Sequence, residues 1–185
     1  MNKAELRKYF LKKRAALSLQ FVDEKSREIV KRIVNLDAFK QAKVIHCYAS
    51  ISKKREADTV EFISACKRLG KTIIMPKVLP KGEMVHIEVK NQTLFKENKW
   101  GVEEPLEGKS VQADYPDFIV VPMVAGDNNR NRIGYGKGYY DRFLSRTKGV
   151  KVGILFECQM FDGLLPTEVF DVPLDMLVNE KEVIC

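Results

Sequence analysis

Residues 43–78 read KVIHCYASISKKREADTVEFISACKRLGKTIIMPKV, and this segment carries the pattern of a strand, a helix and a second strand. The runs 43–50 and 71–78 are short, apolar and rich in strand-forming residues, which is typical of strands buried on both faces. Between them, Thr59–Leu69 fits a helix that ends at Gly70, because glycine readily adopts the backbone of a helix C-terminal cap. This succession with short connections predicts a right-handed parallel crossover.

The rest of the chain extends this pattern. Further strands are predicted at 83–89 (an edge strand), 117–124, 151–157 and 175–179. The other predicted helices span 2–17, 22–40 and about 137–146, whereas residues 90–116 have little regular pattern. We therefore expect one α/β domain over residues 1–185, a three-layer α/β/α arrangement with a mainly parallel central sheet. In such sheets, ligands bind beyond the carboxyl ends of the strands.

The composition narrows the class of protein. Hydrophobic residues make up 45% of the 185 residues and charged residues 31%, which excludes a disordered chain. No apolar run approaches the ~20 residues of a membrane-spanning helix, and charges recur through the N-terminus, unlike in a secretory signal. The four cysteines lack CxxC spacing and only two histidines are present, which argues against a structural zinc site and favours a reducing cytoplasm.

The net charge of +7 suits nucleic acid, an anionic membrane surface or a polyanionic small molecule such as a nucleotide. The positions of the positive charges along the chain have to decide among these partners. Helix 2–17 places Leu6, Phe10, Ala15 and Leu17 among lysines and arginines, which predicts one apolar face on a basic helix.

The second basic stretch is NRIGYGKGYYDRFL, residues 131–144, with glycines at 134, 136 and 138. Glycines permit positive φ and bring backbone N–H groups close to a ligand, so with Arg132, Lys137 and a following helix they can bind polyphosphate. Asp141 is placed to hold Mg²⁺ against the phosphates. The string is neither a Walker P-loop nor a GxGxxG fingerprint. By itself it also fits a tight turn with solvated charges.

The whole string is more specific than its glycines. It resembles the N-R-[LI]-G-x-G-x-G-Y-Y-D signature of the 5-formyltetrahydrofolate cyclo-ligase family, also called methenyltetrahydrofolate synthetase, and follows a Val-Pro strand as in that family. Other features of the family occur in order along nearly the whole chain. They are Lys3 and Arg7 in a basic first helix, Glu56 and Thr59 after the first strand, Trp100 and Pro105, and Asp171, Pro173 and Asp175.

The resemblance implies an enzyme that converts 5-formyltetrahydrofolate and ATP to 5,10-methenyltetrahydrofolate, ADP and phosphate, with Mg²⁺. A formamide is a poor electrophile, and its oxygen is a poor leaving group. Transfer of the γ-phosphoryl group to that oxygen activates the carbon, so that a neighbouring folate nitrogen can close the ring. Phosphoryl transfer mainly requires positioning and charge neutralisation.

The resemblance also assigns site residues, in overlapping groups. The catalytic residues are Arg132, Lys137 and Tyr139. The ATP site comprises Lys3, Arg7, Arg132, Ile133, Gly134, Tyr135, Gly136, Lys137, Gly138, Tyr139 and Tyr140. The folate site comprises Ile51, Glu56, Trp100, Tyr135, Gly136, Lys137, Gly138 and Tyr139. Mg²⁺ is held by Asp141 and Asp171.

Each assignment has a structural alternative. Charges such as Lys3 and Arg7 are often solvated, and Glu56 fits an exposed carboxylate at a helix start. Trp100 also fits a half-buried core residue. One of Tyr139 and Tyr140 also fits a residue that serves only in packing, and Asp171 also fits the start of a turn before Pro173. His46 and His86 are predicted to have structural roles.

Three other functions compete with the cyclo-ligase. A nucleic-acid module would interleave basic and aromatic residues on an exposed sheet, whereas these strands look buried. A small-molecule kinase would bind ATP without a pterin, and a non-catalytic ATP-binding regulator would not need the paired Asp141 and Asp171. We expect a cytoplasmic monomer that acts on reduced folate and ATP, without nucleic acid or membrane, and a first helix that closes over the nucleotide.

Overall fold

The structure is a computed structural model that describes residues 1–79 and 83–185. Its helices are α1 (Lys3–Ala15), α2 (Leu19–Asn35), α3 (Asp37–Gln41), α4 (Val60–Arg68) and α5 (Tyr139–Leu144). Its strands are β1 (Val44–His46), β2 (Thr72–Val78), β3 (Met84–Val89), β4 (Phe95–Glu97), β5 (Glu103–Pro105), β6 (Ser110–Val111), β7 (Phe118–Pro122), β8 (Ala125–Gly126), β9 (Arg132–Ile133), β10 (Val150–Ile154), β11 (Met176–Val178) and β12 (Val183–Ile184). In these two ranges, every helix is too short or too polar to cross a membrane.

The central sheet has eight strands in the order β12-β11-β10-β7-β1-β2-β3-β6. The five strands from β11 to β2 run parallel to their neighbours, and the antiparallel pairings lie at the two margins. Alternate residues of β7 face opposite layers: Phe118 packs in the core with α2, α3 and α4, and Ile119 packs in the core with α5. This confirms the predicted three-layer, mainly parallel fold, including the crossover from β1 through α4 to β2.

Helix α1 packs beside the carboxyl edge of the sheet. Asn2 and Glu5 form a capping box at its start, and Leu6 and Phe10 pack against Ile133 and Leu165. The predicted apolar face is wrong in two residues, because Ala15 is exposed and Leu17 lies beyond the end of α1 and packs against a different core. Arg14 continues the buried stripe instead. Helix α1 is therefore docked through its apolar residues against the segments that follow β7.

Several predicted boundaries are corrected by the structure. Leu36 has an extended backbone (ψ 134°), so the segment 22–40 forms two helices instead of one. The strand predicted at 83–89 is not at the edge, because β6 pairs with it from the segment 90–116. That segment also contains the hairpin β4–β5, which lacked a sequence signal because short exposed strands have no clear period.

Gly149 provides a test of the pairing between β7 and β10. A Cβ atom at this buried position would lie 2.3 Å from the Pro116 carbonyl oxygen and 3.0 Å from the Asp117 carbonyl carbon, so the backbone would have to shift. We predict that Gly149→Ala lowers the free energy of unfolding by about 1–3 kcal/mol in urea denaturation. Gly134→Ala is the matched control, because a Cβ there meets nothing within 4 Å; equal losses in both variants would contradict the packing.

Candidate active site

A cavity of about 320 Å³ opens at the carboxyl ends of β1, β2 and β7. From β1 the chain proceeds to β2 on one side and later returns to β7 on the other, which is the arrangement that creates a ligand crevice in open α/β sheets. The floor includes Tyr48, Pro76 and Pro122, from or just after these strands. The hairpin β4–β5 forms one wall, and residues 134–138, the glycine loop, form another.

A small hairpin that the sequence analysis missed delivers the glycine loop to this cavity. Asp127, fully buried between β8 and β9, accepts hydrogen bonds from the Asn129 and Asn131 N–H groups, the Asn131 side-chain amide and the Leu165 N–H. These bonds fix the turn, so that β9 leads directly into Gly134. The run Gly-Asp-Asn-Asn is the available sequence signal, because Asp side chains commonly stabilise such turns.

The glycine loop presents unpaired backbone donors. Gly136 and Gly138 have φ of +83° and +66°, the left-handed conformation that glycine tolerates, whereas Gly134 does not have a positive φ. Within the described ranges, no backbone N–H from Tyr135 to Asp141 donates to a protein acceptor. Because α5 has only six residues, these N–H groups, and not its dipole, are what this segment can offer to an anion.

Helix α1 brings both predicted cations to this region. Arg7 Nε donates to the Gly134 carbonyl oxygen at 2.8 Å, and a Cβ at Gly136 would lie only 3.1 Å from Arg7 Cζ. Lys3 forms an ion pair with Asp171 and a longer one, of 3.4 Å, with Glu168. The interpretation of Lys3 and Arg7 as freely solvated charges is therefore wrong.

Arg132 ties the glycine loop to its surroundings. Its guanidinium donates to Asp141 Oδ1 and to the Val172 carbonyl oxygen, both at 2.5 Å. Burial lowers the pKa of Arg132, and the nearby carboxylates of Asp141 and Asp171 oppose that shift. Arg132 lines the cavity, and its guanidinium is already paired with protein groups.

The two predicted metal ligands both lie near Arg132, since Asp141 pairs with it and Asp171 precedes Val172, whose carbonyl oxygen accepts from it. Within the described ranges, Asp141 Oδ2 and Asp171 Oδ1 make no hydrogen bond, so each carboxylate retains an open oxygen. Those ranges contain no group of three or more His, Cys, Asp or Glu able to hold a metal ion. Two open carboxylate oxygens fit Mg²⁺, which usually binds few protein ligands together with phosphates and water.

Glu56 also lines the cavity and is only 5% exposed. Its Oε2 accepts the Ile51 N–H at 2.7 Å, and its Oε1 accepts the Tyr135 hydroxyl. The left-handed backbone of Arg55 (φ 54°) precedes Glu56 at this turn. The interpretation of Glu56 as an exposed carboxylate is wrong. Burial, followed by the charge of Glu56, raises the pKa of Tyr135.

The aromatic candidates separate into two groups. Trp100 is 40% exposed and lines the cavity, so it is not a core residue. Tyr139 also lines the cavity, with the Arg142 guanidinium carbon 5.4 Å from its ring centroid. Tyr140 packs against the core beside Phe143, and in the described ranges its buried hydroxyl has no partner. The prediction that one of the two tyrosines serves packing therefore holds for Tyr140, although its ring still borders the cavity.

Sequence reasoning missed four polar residues, of which three line the cavity and one lies directly behind its wall. Lys54, Asn98 and Glu104 line it, and Glu104 accepts the Val78 N–H at 3.0 Å. Arg14 lies behind Tyr135 and donates to its hydroxyl at 2.5 Å. Arg14 alone had a usable signal, because it follows Leu6 and Phe10 at a spacing of four residues on the buried helix face.

His46 and His86 form a buried pair beneath α5. The nitrogens His46 Nε2 and His86 Nδ1 are 3.1 Å apart, and the Phe143 ring lies 4.6 Å and 4.1 Å from the two rings. Burial is the main cause that lowers the pKa of both histidines. The pKa of His46 falls well below its usual value, and that of His86 falls to about 4. Neither histidine lines the cavity, which agrees with a structural role.

This pair predicts a specific acid sensitivity. Between pH 6.5 and about 4, His86 takes up a proton in the unfolded chain but not in the folded one, so acid favours unfolding. From pH 7 to 5, the unfolding free energy of the wild type should fall by about 2 kcal/mol more than that of His86→Gln. Urea titrations at each pH measure this difference. The carboxylates titrate in both proteins alike, so their contribution cancels when the two free energies are subtracted. Parallel pH curves would contradict it.

These features define an α/β ligand-binding protein of a particular kind. Its cavity offers a buried carboxylate to a hydrogen-bonding group. It also offers backbone N–H groups and cations to an anion.

Comparison with known proteins is more specific. The model of the 5-formyltetrahydrofolate cyclo-ligase family matches residues 1–180. A probable 5-formyltetrahydrofolate cyclo-ligase of Schizosaccharomyces pombe is 32% identical, with 100% of this chain and 98% of that protein covered. The 5-formyltetrahydrofolate cyclo-ligase of Haemophilus influenzae is 31% identical, with 96% and 98% covered. The solved 5,10-methenyltetrahydrofolate synthetase of Aquifex aeolicus has a TM-score of 0.85 and 37% identity, with 99% of this chain and 92% of that chain covered.

The chain therefore belongs to the 5-formyltetrahydrofolate cyclo-ligase family, and it is an enzyme of the ligase class. The resemblance drawn from residues 131–144 and the features around them is confirmed.

Proposed function

We propose that this protein cyclises 5-formyltetrahydrofolate to 5,10-methenyltetrahydrofolate, using ATP and releasing ADP and phosphate. The observation that carries the proposal is the direct contact between Tyr135 of the glycine loop and the buried Glu56. One cavity thereby unites a carboxylate suited to a pterin with a loop suited to phosphates. The whole chain acts as one cyclo-ligase domain, to which residues 1–20 contribute part of the ATP site.

The pterin would bind at Glu56. Its amino group and adjacent ring N–H form a pair of donors, which a carboxylate can accept together. Trp100 offers an exposed indole face on the cavity wall for stacking, and Ile51 borders the same space. Asn98 and Glu104 on the same hairpin wall add polar groups near the ligand.

The triphosphate would bind along the glycine loop. Backbone N–H groups from Tyr135 to Tyr140 have no protein acceptor in the described ranges, and Lys137 is exposed and lines the cavity. Lys3 and Arg7 add positive charge from α1, and Arg132 adds it from β9. This combination neutralises charge without a Walker motif.

Asp141 and Asp171 would hold Mg²⁺ through their open oxygens. When bound, Mg²⁺ neutralises phosphate charge and orients the transferred group. Arg132 fixes Asp141, and Lys3 fixes Asp171, so the protein sets the orientation of both carboxylates beforehand.

The reaction follows from these positions. The formyl oxygen attacks the γ-phosphorus and ADP leaves; a formyl oxygen has no proton, so this step needs no general base. The second folate nitrogen then bonds to the activated carbon, loses its proton, and the C–O bond breaks to release phosphate. Lys137 and Arg132 stabilise charge during the transfer, and Tyr139 borders the reacting groups.

We further propose a cytoplasmic monomer acting on small molecules, with neither nucleic acid nor membrane as partner. Both faces of the sheet are covered by helices, which removes the exposed aromatic platform used by many RNA-binding sheets.

Absorbance at the methenyl-folate band tests the function directly. Purified protein with 5-formyltetrahydrofolate, ATP and Mg²⁺ should show a rise that requires ATP and that a chelator abolishes. ATP consumption without this rise would instead indicate a kinase with another acceptor. Binding of ATP with neither effect would indicate the non-catalytic regulator.

Lys137→Ala tests the role of the glycine loop. Loss of this charge near the transferred group should lower kcat/KM by about 100-fold, since one preorganised charge stabilises a transition state by roughly 3 kcal/mol. Lys148→Ala is the matched control, because Lys148 is exposed and lies outside the cavity. Equal kcat/KM in the two variants would remove Lys137 from the proposal.

Trp100→Ala tests the stacking wall. Because the indole is partly exposed, its loss should leave stability unchanged but raise the KM for 5-formyltetrahydrofolate by about tenfold, with little change in the KM for ATP. Tyr115→Ala is the control, since Tyr115 is a similarly exposed aromatic residue outside the cavity. An unchanged folate KM in Trp100→Ala would show that the ring does not contact the ligand.

A further inference from the structure

Arg14 is the largest side chain that the structure buries almost completely, with 2% exposure, and the proposed reaction gives it no role. Its Nε donates to the Lys54 carbonyl oxygen at 2.9 Å, its Nη1 to the Met123 carbonyl oxygen at 3.3 Å, and its Nη2 to the Tyr135 hydroxyl at 2.5 Å. Nη2 also lies 3.9 Å from Glu56 Oε1. Burying a guanidinium is costly unless it is paired, so these contacts have to offset a large desolvation penalty.

The contacts impose a direction on the hydrogen bonds. Arginine can only donate, and the Tyr135 hydroxyl has one proton. Since the hydroxyl accepts from Arg14, its proton is directed to Glu56. The second carboxylate oxygen is occupied by the Ile51 N–H. Arg14 therefore determines which way the Tyr135 hydroxyl points and compensates the buried charge of Glu56.

Arg14 also acts on the same loop as Arg7. The two arginines are seven residues apart, which is about two helical turns, so they project from the same side of α1. Arg7 binds the carbonyl of Gly134, and Arg14 binds the side chain of the next residue, Tyr135. Helix α1 thus holds the glycine loop at two points, the Gly134 backbone and the Tyr135 side chain.

We propose that Arg14 is a positioning residue that sets the folate site through the Tyr135 hydroxyl, by holding Tyr135 and Glu56 in the arrangement that receives the pterin. This inference rests on the proposed folate-binding function and deepens it. The competing explanation is that Arg14 only stabilises the packing of α1 against the loop after β1 and has no effect on folate binding.

A double-mutant cycle on folate affinity separates the two explanations. The dissociation constant of 5-formyltetrahydrofolate is measured by calorimetry, without ATP, for wild type, Arg14→Met, Tyr135→Phe and the double variant. Arg14→Met should weaken binding about tenfold or more, as expected for a lost charge-assisted hydrogen bond. If Arg14 acts through the Tyr135 hydroxyl, the double variant binds no more weakly than the weaker of the two single variants.

Two further variants complete the design. Arg14→Lys retains the charge with a shorter reach, so it should recover part of the affinity, and it replaces Arg14→Met in the cycle if that variant fails to fold. Lys12→Met is the matched control, an exposed lysine on the same helix that should bind folate like the wild type. The dissociation constant of a non-hydrolysable ATP analogue should change less than threefold in Arg14→Lys.

The outcomes are distinct. Losses that multiply in the double variant, or equal weakening of folate and ATP-analogue binding, would overturn the positioning role. A wild-type protein that binds folate but gives no methenyl-folate absorbance would overturn the proposed function, and the cycle would still decide the role of Arg14. A wild-type protein that does not bind folate would overturn both.

Discussion

The site depends on one constraint, the burial of the Glu56 carboxylate. A buried charge is tolerated only where donors and an opposite charge surround it. The donors come from Ile51 and Tyr135, and the opposite charge comes from Arg14 on a helix that begins the chain. Segments far apart in sequence must therefore meet before this carboxylate can be buried, which couples the ligand site to the completed fold.

Helix α1 meets this requirement with two kinds of contact. Leu6 and Phe10 bury apolar area against residues near the glycine loop, and each such side chain stabilises docking by roughly 1.5–3 kcal/mol. The arginines on the same side then reach the loop at adjacent residues. Apolar contacts hold the helix in place, and the charged contacts determine what it positions. Part of the excess positive charge is thereby located at the cavity, where a polyanionic ligand would use it.

The sequence was most informative where the pattern was local. The apolar strands β1, β2 and β7 and the helix α4 follow from hydrophobic runs and a glycine cap, and the family signature identified the glycine loop. Three other features depend on tertiary contacts and have no periodic pattern in the local sequence. They are the break at Leu36, the two-residue strand β6 and the hairpin β8–β9. Glu56 and Tyr135 could each be named from the resemblance. Their hydrogen bond to one another, and the part of Arg14 in it, required contacts across more than seventy residues of chain.

The ion pairs around the glycine loop also bear on the choice of ligand. The ion pairs of Lys3 with Asp171 and of Arg132 with Asp141 neutralise two of the cations around the glycine loop, and Arg7 and Lys137 add further positive charge. A ligand with phosphates alone would meet two carboxylates beside its negative charge. A ligand that brings phosphates together with a divalent cation suits these pairs, because phosphate can bind the cationic groups while the metal binds the open oxygens of Asp141 and Asp171, with both carboxylates held as they are. We therefore expect Mg²⁺ to strengthen nucleotide binding, because a bound metal ion would neutralise the negative charge of two carboxylates that lie beside the phosphates.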